Sequence, residues 1–392
     1  MKILLVSAMF PPIRTGTSFY SQNIAQTLYN HGHHIVVATV KNTDVFEDNC
    51  SFPVIRLKAW HINLKNYFKH LRFSSVYIFN YKKLLQISID NDIEAVLLVN
   101  HYLDIAFPAI YVTRKLKISL YISVGTQMQS LNPIKNKILR ILDRVICGRL
   151  IFPFCKNIIS WDTEIERYIK EVQRKSISDK SVIIPFGVNG DISQFNNYLH
   201  NYSLTGQIIG VGAIISQRDY LFQLKVFKEL LNDFPSLKLK IIGHIYIQSP
   251  IKLAEELNIR DKVEFLGEMP HEIVIDEMKK SAIHWMMLSG SYVGLGTATI
   301  EAMLLGIPSV SNAPETLLGT RLLHDLENYI FIDGNNDVLA AKNKICNILL
   351  NQDLRNKIGQ GGRRFVQENM NWDKVAHKMI ELFSKTTSSA LP

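Results

Sequence analysis

The chain has 392 residues, with 47% hydrophobic and 20% charged side chains, which excludes a disordered polymer and suits two globular domains of ordinary size. Its four cysteines, Cys50, Cys147, Cys155 and Cys346, form no CxxC pair and no Cys/His cluster of zinc spacing, so reduced thiols are expected rather than a disulfide framework or a zinc module. Net charge is +9 and unevenly placed: residues 1–195 carry 24 Lys and Arg against 14 Asp and Glu, and the remainder carries 20 against 21.

The opening MKILLVSAMFPP reads as a first strand and not as a signal peptide: its apolar run is short and a Pro pair leads into a glycine turn. No apolar run reaches the roughly 18 residues that a membrane-spanning helix needs. Residues 18–32 carry a helical pattern that stops at Gly32. Further strands are expected at 34–40, 94–100, 119–125, 157–161 and 181–186. A second series is expected at 207–213, 237–243, 262–267, 282–288 and 307–312, with amphipathic stretches between. The polar segment 196–206 reads as a linker between domains 1–195 and 207–371. The closing helical pattern, 353–383, is expected to be interrupted at Gly361–Gly362. The alternation predicts two parallel, doubly wound α/β domains with ligands at the carboxyl ends of their strands.

Four places could carry chemistry. The turn around Gly16 precedes a helix whose free N–H groups would attract an anion. His101 ends the strand EAVLLVN, and Arg218 stands in a turn after the strand QIIGVGA; each suits either a structural role or a ligand. In SYVGLGTATIEAMLLGIPSV (291–310), Gly294, Leu295, Gly296 and Thr297 precede a helix expected to hold Glu301 in its first turn. That carboxylate either complements the helix dipole, worth a few tenths of a kcal/mol, or reads a ligand. Neither GVGAII nor GLGTAT completes a dinucleotide fingerprint, and no GxxxxGK[ST] loop occurs, which argues against a dehydrogenase or a P-loop kinase. The interval between Asp48 and Asp90 has no acid but carries seven Lys or Arg interleaved with Trp60, Tyr67, Phe68, Phe73, Tyr77, Phe79 and Tyr81. Such a surface fits an anionic bilayer or nucleic acid, or is an ordinary solvated face.

Six pieces in order make the chain similar to the family 4 glycosyltransferases. They are MKILLVSAMFPP with Gly16 and NIAQTLYNHGHHIVVAT, then VIIPFGVNGDISQF, GVGAIISQR, the run from LKLKIIG through KVEFLGEMPHEIV, the stretch 291–310, and WDKVAHKMIELF. The resemblance implies the GT-B fold: two Rossmann-like domains facing a central cleft, with a C-terminal helix, about 372–386, returning to the first domain. It implies a retaining hexosyltransferase that uses a nucleotide-sugar donor and a glycan or lipid-linked acceptor in cell-surface polysaccharide synthesis, without cofactor or metal. The reduced thiols suit a cytoplasmic protein, and the basic, aromatic first domain suggests peripheral attachment at the inner membrane face, where a lipid-linked acceptor could be presented; no nucleic-acid partner is expected. Carried over by position, Glu301 would bond the ribose hydroxyls. Gly294, Leu295, Gly296, Thr297 and Gly16 would approach the sugar and diphosphate, Arg218 would hold phosphate, and His101 would stand at the reacting centre. The chain departs from the family at Val293 (usually Glu), Ala213 (usually Arg) and Leu288 (commonly Pro-Ser). Those departures keep open a degenerate binding protein, and a nucleotide-sugar 2-epimerase is a further alternative.

Overall fold

The computed structural model describes residues 1–13, 15–41, 50–61, 72–100, 105–127, 130, 132–173, 180–188, 206–289, 293–333 and 337–387. Continuous β-branched runs become strands covered on both faces, as parallel sheets require. Strand β1 (Lys2–Ser7) is buried along nearly its whole length. It lies between β2 (His34–Val40) and the strand Ala95–Val99, parallel to both. Around it, in chain order, come β3 (Val54–Leu57), the short antiparallel pair β4 (Trp60–His61) and β5 (Arg72–Phe73), then β6 (Ala95–Val99), β7 (Ser119–Val124), β8 (Asn157–Ser160) and β9 (Ser181–Ile183). The large sheet runs β3-β2-β1-β6-β7-β8-β9. Its helices are α1 (Gly16–Asn30), α2 (Ile78–Asp90), α3 (Ala106–Leu116), α4 (Pro133–Val145) and α5 (Thr163–Val172).

The second sheet consists of β10 (Gln207–Val211), β11 (Lys238–Ile242), β12 (Val263–Gly267), β13 (Ile283–Trp285), β14 (Ser309–Ser311) and β15 (Ile330–Phe331), in the order β12-β11-β10-β13-β14-β15. Helices α6 (Tyr220–Leu230), α7 (Ser249–Glu256), α8 (His271–Lys279), α9 (Thr297–Leu304), α10 (Val338–Leu350) and α11 (Gln352–Asn369) belong to it, and α12 (Trp372–Thr387) follows. In each sheet the first strand of the series sits inside and the order reverses beside it, the Rossmann arrangement that opens a crevice at the switch point, β1/β6 or β10/β13.

The chain divides into two units, Met1–Gly187 with Trp372–Pro392 and Val188–Asn371. The division falls at 187/188, and residues 189–195 of the expected first domain lie outside the described residues. At that point Val188 pairs with Asn371 and its N–H donates to the Met370 carbonyl at 2.8 Å. Of the linker expected at 196–206, residues 196–205 lie outside the described residues. Helix α12 packs on α1. Trp372 enters an aromatic group with Tyr20 and Phe186, ring centroids 5.5 Å from each. His31 Nε2 lies 3.1 Å from Asp373 Oδ1.

Two expectations change. β3 and β15 were not expected; they are short edge strands of four and two residues, too brief to show a periodicity. The glycines at 361–362 do not interrupt the last helix: α11 runs through them, and the break comes at Met370–Asn371. Their role is close backbone approach. A Cβ on Gly359 would strike the carbonyl of Gly306, one on Gly361 would strike that of Glu327, and one on Gly362 would lie 2.8 Å from that of Asn328. Gly16, in contrast, has open space where a Cβ would stand. Gly359→Ala should therefore destabilise by about 1–3 kcal/mol, read as a lower thermal midpoint. Gly16→Ala should change stability by less than about 1 kcal/mol.

Candidate functional site

The second unit gathers its candidate residues beyond the carboxyl ends of β10, β13 and β14. β10 ends at Val211, and Gly212 follows with φ +144°, a conformation that favours glycine. The Arg218 side chain lies where a Cβ on Gly212 would be, and a Cβ on Gly243 would strike the Gly212 carbonyl. The glycines of GVGA thus make room for neighbouring protein atoms: the Arg218 guanidinium at Gly212, and the Trp285 carbonyl and Gln223 side chain at Gly210. Arg218 Nη1 donates to the Ala213 carbonyl at 3.2 Å, and Tyr220 donates its hydroxyl proton to the Gly212 carbonyl at 2.7 Å. The Arg218 backbone pairs with Leu288. Leu288 is itself held through its N–H (3.2 Å) and carbonyl (2.9 Å) by the Asn312 amide. The two loops are therefore bridged at the switch point.

Beneath Arg218 lies His284 in β13, fully buried. Neither ring nitrogen has a partner among the described residues. Burial, reinforced by the Arg218 charge, pushes its pKa down to about 3, so the imidazole stays neutral at any working pH.

Helix α9 begins at Thr297 with Gly296 as its N-cap, and no side chain caps it. Glycine leaves this end unblocked: a Cβ on Gly296 would meet only Thr299 Oγ1, at 3.9 Å. The N–H groups of Thr299 and Ile300 turn back to the Gly296 carbonyl (2.9 and 3.1 Å). Those of Thr297 and Ala298 have no partner among the described residues and are available to an anion. Helix α1 differs, because Thr15 Oγ1 accepts from the Ser18 N–H at 3.2 Å. Gly294 adopts φ +147°, and Ser311 Oγ donates to its carbonyl at 3.4 Å, tying the approach loop to β14.

Glu301 is the fifth residue of α9, so it stands in the second turn and not, as expected, the first. Dipole complementation fades beyond the first turn, and the structural explanation for this carboxylate loses its basis. Glu301 is instead engaged by a residue that sequence reasoning passed over. His271, first residue of α8, places Nε2 3.0 Å from Glu301 Oε1. The hydrogen bond to Glu301 raises the His271 pKa against the opposing effect of burial. The imidazole is two-thirds exposed and the carboxylate largely covered, 64% and 18%, so a ligand can displace the histidine without unburying Glu301. The signal was present in the sequence as MPHEIV, but nothing local linked 271 to 301.

The sites expected in the first unit are placed differently. Gly16 opens α1 directly after the β1 turn. His101 lies outside the described residues, as do 290–292 beside the α9 loop. Val293 and Ala213 are described and half-buried, so apolar groups occupy both positions where the resemblance implies charge. Among the described residues no group of three or more His, Cys, Asp or Glu could hold a metal ion. No helix among them is long and apolar enough to cross a membrane.

Residues 203–365 match the family model described as Glycosyl transferases group 1. The chain is 25% identical over 392 residues to an uncharacterized glycosyltransferase of Methanocaldococcus jannaschii, covering 98% of each chain. Its fold matches sucrose-phosphate synthase from Thermosynechococcus elongatus with TM-score 0.71 at 18% identity, covering 99% of this chain and 100% of that one. It also matches Anabaena HepE in complex with UDP and glucose with TM-score 0.68 at 14% identity, covering both chains fully.

The Glu301–His271 contact has a measurable consequence. A raised pKa means that pairing favours the folded state below the ordinary histidine pKa, and that this contribution is lost as pH rises through the raised value. In an NMR titration His271 should ionise above an ordinary histidine, and Glu301→Gln should bring it down. An unchanged His271 titration in that variant would refute the pairing.

Proposed function

We propose that this chain, whose residues 203–365 match the family model described as Glycosyl transferases group 1, is a glycosyltransferase that transfers a hexose-type sugar, with retention, from a nucleotide-sugar donor to a glycan or lipid-linked acceptor in cell-surface polysaccharide synthesis. The observation that carries this reading is the uncapped start of α9, with a covered carboxylate one turn behind it. The diphosphate would accept from the Thr297 and Ala298 N–H groups. Glu301, once released by His271, would accept from the vicinal ribose hydroxyls. The backbone of Gly294, Leu295 and Gly296 approaches the sugar, and Arg218 supplies the cationic side chain for the phosphates. Gly16 is assigned to the diphosphate and His101 to the reacting sugar on the resemblance alone.

In the reaction the bond between the anomeric carbon and the diphosphate oxygen breaks, and its electron pair leaves with the nucleoside diphosphate. The acceptor hydroxyl oxygen bonds to the same carbon and passes its proton to the departing phosphate oxygen, which holds the electron pair of the broken bond. Charge develops on the leaving phosphate, so donors already aimed at it stabilise the transition state more than the ground state. The binding of UDP and glucose by HepE favours a donor of this class. No metal is assigned to the step. The protein is proposed to work in the cytoplasm, at the inner membrane face.

A second reading, binding without turnover, is motivated by Val293 and Ala213, which supply no charge where the family has it. Release of nucleoside diphosphate from a panel of UDP- and GDP-sugars separates the two: turnover supports transfer, and binding without release supports the second reading. Glu301→Ala should weaken nucleotide binding by about ten- to a hundredfold, the loss of charge-assisted hydrogen bonds; unchanged affinity would remove the ribose assignment. His101→Ala should preserve donor affinity while lowering transfer by about a hundredfold or more, measured as product formed at saturating donor.

A further inference from the structure

Helix α4, PIKNKILRILDRV, is turned inside out. Asp143 is 1% exposed, with Arg140 Nη1 3.9 Å from its Oδ2 and the Arg140 guanidinium 4.7 Å from the Tyr168 ring centroid. The opposite face shows Ile134 (74% exposed), Ile138 (53%) and Ile141 (52%), with Leu142 and Val145 also exposed. These five recur at i, i+4, i+7, i+8 and i+11, which is one continuous stripe. Leu150 and Phe154, in the turns that follow, extend the exposed apolar surface.

The helix does not depend on a partner for its form. Pro133 occupies its first position, and Asn132 Oδ1 accepts from the N–H groups of Ile134 (3.0 Å) and Lys135 (3.1 Å). Its charge pattern selects the occupant of the stripe. By helical angle Lys137 and Arg144 flank the stripe on one side and Lys135 on the other, and all three are exposed, as is Arg149 beyond them. Residues 133–156 hold six Lys or Arg and a single acid, Asp143, which is the one turned inward. Two copies of this stripe laid together would bring like-charged flanks side by side with no exposed acid to offset them. A bilayer of anionic phospholipid offers hydrocarbon for the stripe and phosphates for both flanks.

We infer that α4 is the element that seats this chain on an anionic phospholipid bilayer, lying in the headgroup region with its isoleucine stripe toward the acyl chains. The inference deepens the membrane part of the proposed function and is independent of sugar transfer. It moves the contact away from residues 48–90. There Trp60, Phe79, Lys82 and Lys83 are exposed, but Arg56 is committed to the Pro11 carbonyl at 2.7 Å and residues 62–71 lie outside the described residues.

Flotation of the full chain with vesicles tests this without donor or acceptor. The protein should float with phosphatidylglycerol-containing vesicles at low salt, float less as salt rises, and stay behind with pure phosphatidylcholine. Ile138→Glu combined with Ile141→Glu should weaken flotation by about tenfold or more, and Lys137→Glu with Arg144→Glu should abolish the preference for anionic lipid. All four positions are exposed or flank the stripe, so thermal midpoints should match wild type; Ile138→Ser serves as the milder variant. Three flotation results would overturn the inference: no wild-type flotation, unaltered flotation of the double glutamate variant, or loss confined to Phe79→Glu with Lys82→Glu. A dimer in sedimentation, dispersed by Ile138→Glu, would overturn it in favour of a second copy.

Discussion

Everything at the candidate site depends on how α9 is held. Its C-terminal end is fastened: Gly306 takes φ +80°, Gly359 of α11 rests against the Gly306 carbonyl, and Arg363 donates to the Leu304 (3.0 Å) and Leu305 (2.8 Å) carbonyls. A cation at that end satisfies orphan carbonyls and complements the dipole at once. Its rear is closed by backbone contact, and its front is left without a side-chain cap. An N-terminus left open in this way keeps its first N–H groups and the positive end of the helix dipole unneutralised by any side chain.

The first unit solves a related problem with aromatic rings. Ser123 donates to the Tyr20 hydroxyl at 2.8 Å and accepts from Trp161 Nε1 at 2.9 Å. Phe186 stands against Trp161, with centroids 5.1 Å apart. Trp372 closes over the group, and a Cβ on Gly187 would meet its indole at 2.6 Å. The last helix is attached by this packing and by Tyr121–Phe383, 4.4 Å between centroids. Hydrophobic payload and ring geometry together make such a group a durable anchor for a segment distant in sequence.

The two charged residues of the site differ in what restrains them. Arg218 is bound to backbone carbonyl over a glycine, so its direction is set by the end of β10. Glu301 is bound to a side chain on another helix, and an exposed one. The rigid cation and the releasable carboxylate suit different ligand groups: a phosphate that needs a fixed charge, and a diol that must displace something to enter. His284, buried beneath Arg218, keeps its charge off, so it adds no second cation beside the guanidinium.

Much of this was legible in one dimension. Buried parallel strands such as Lys2–Ser7 and Ala95–Val99 read as unbroken apolar runs, because both faces are covered. Helix α1 showed its Gly32 stop, and the Gly-Leu-Gly-Thr turn before Glu301 was visible as a place where backbone approaches something. Other features needed residues far apart to meet. Gly361–Gly362 read as a helix break because glycine weakens an isolated helix, whereas in the fold its missing Cβ admits the backbone at Glu327 and Asn328. Glu301 read as a first-turn charge until the helix start was located at Thr297, and His271, thirty positions earlier, has no local link to it. The sequence by itself determined the two sheets and the stretch that approaches a ligand, since periodicity and turn chemistry act over a few residues. Only the tertiary structure decided which face of α4 looks outward and which partner holds Glu301, since both depend on contacts that no local pattern encodes.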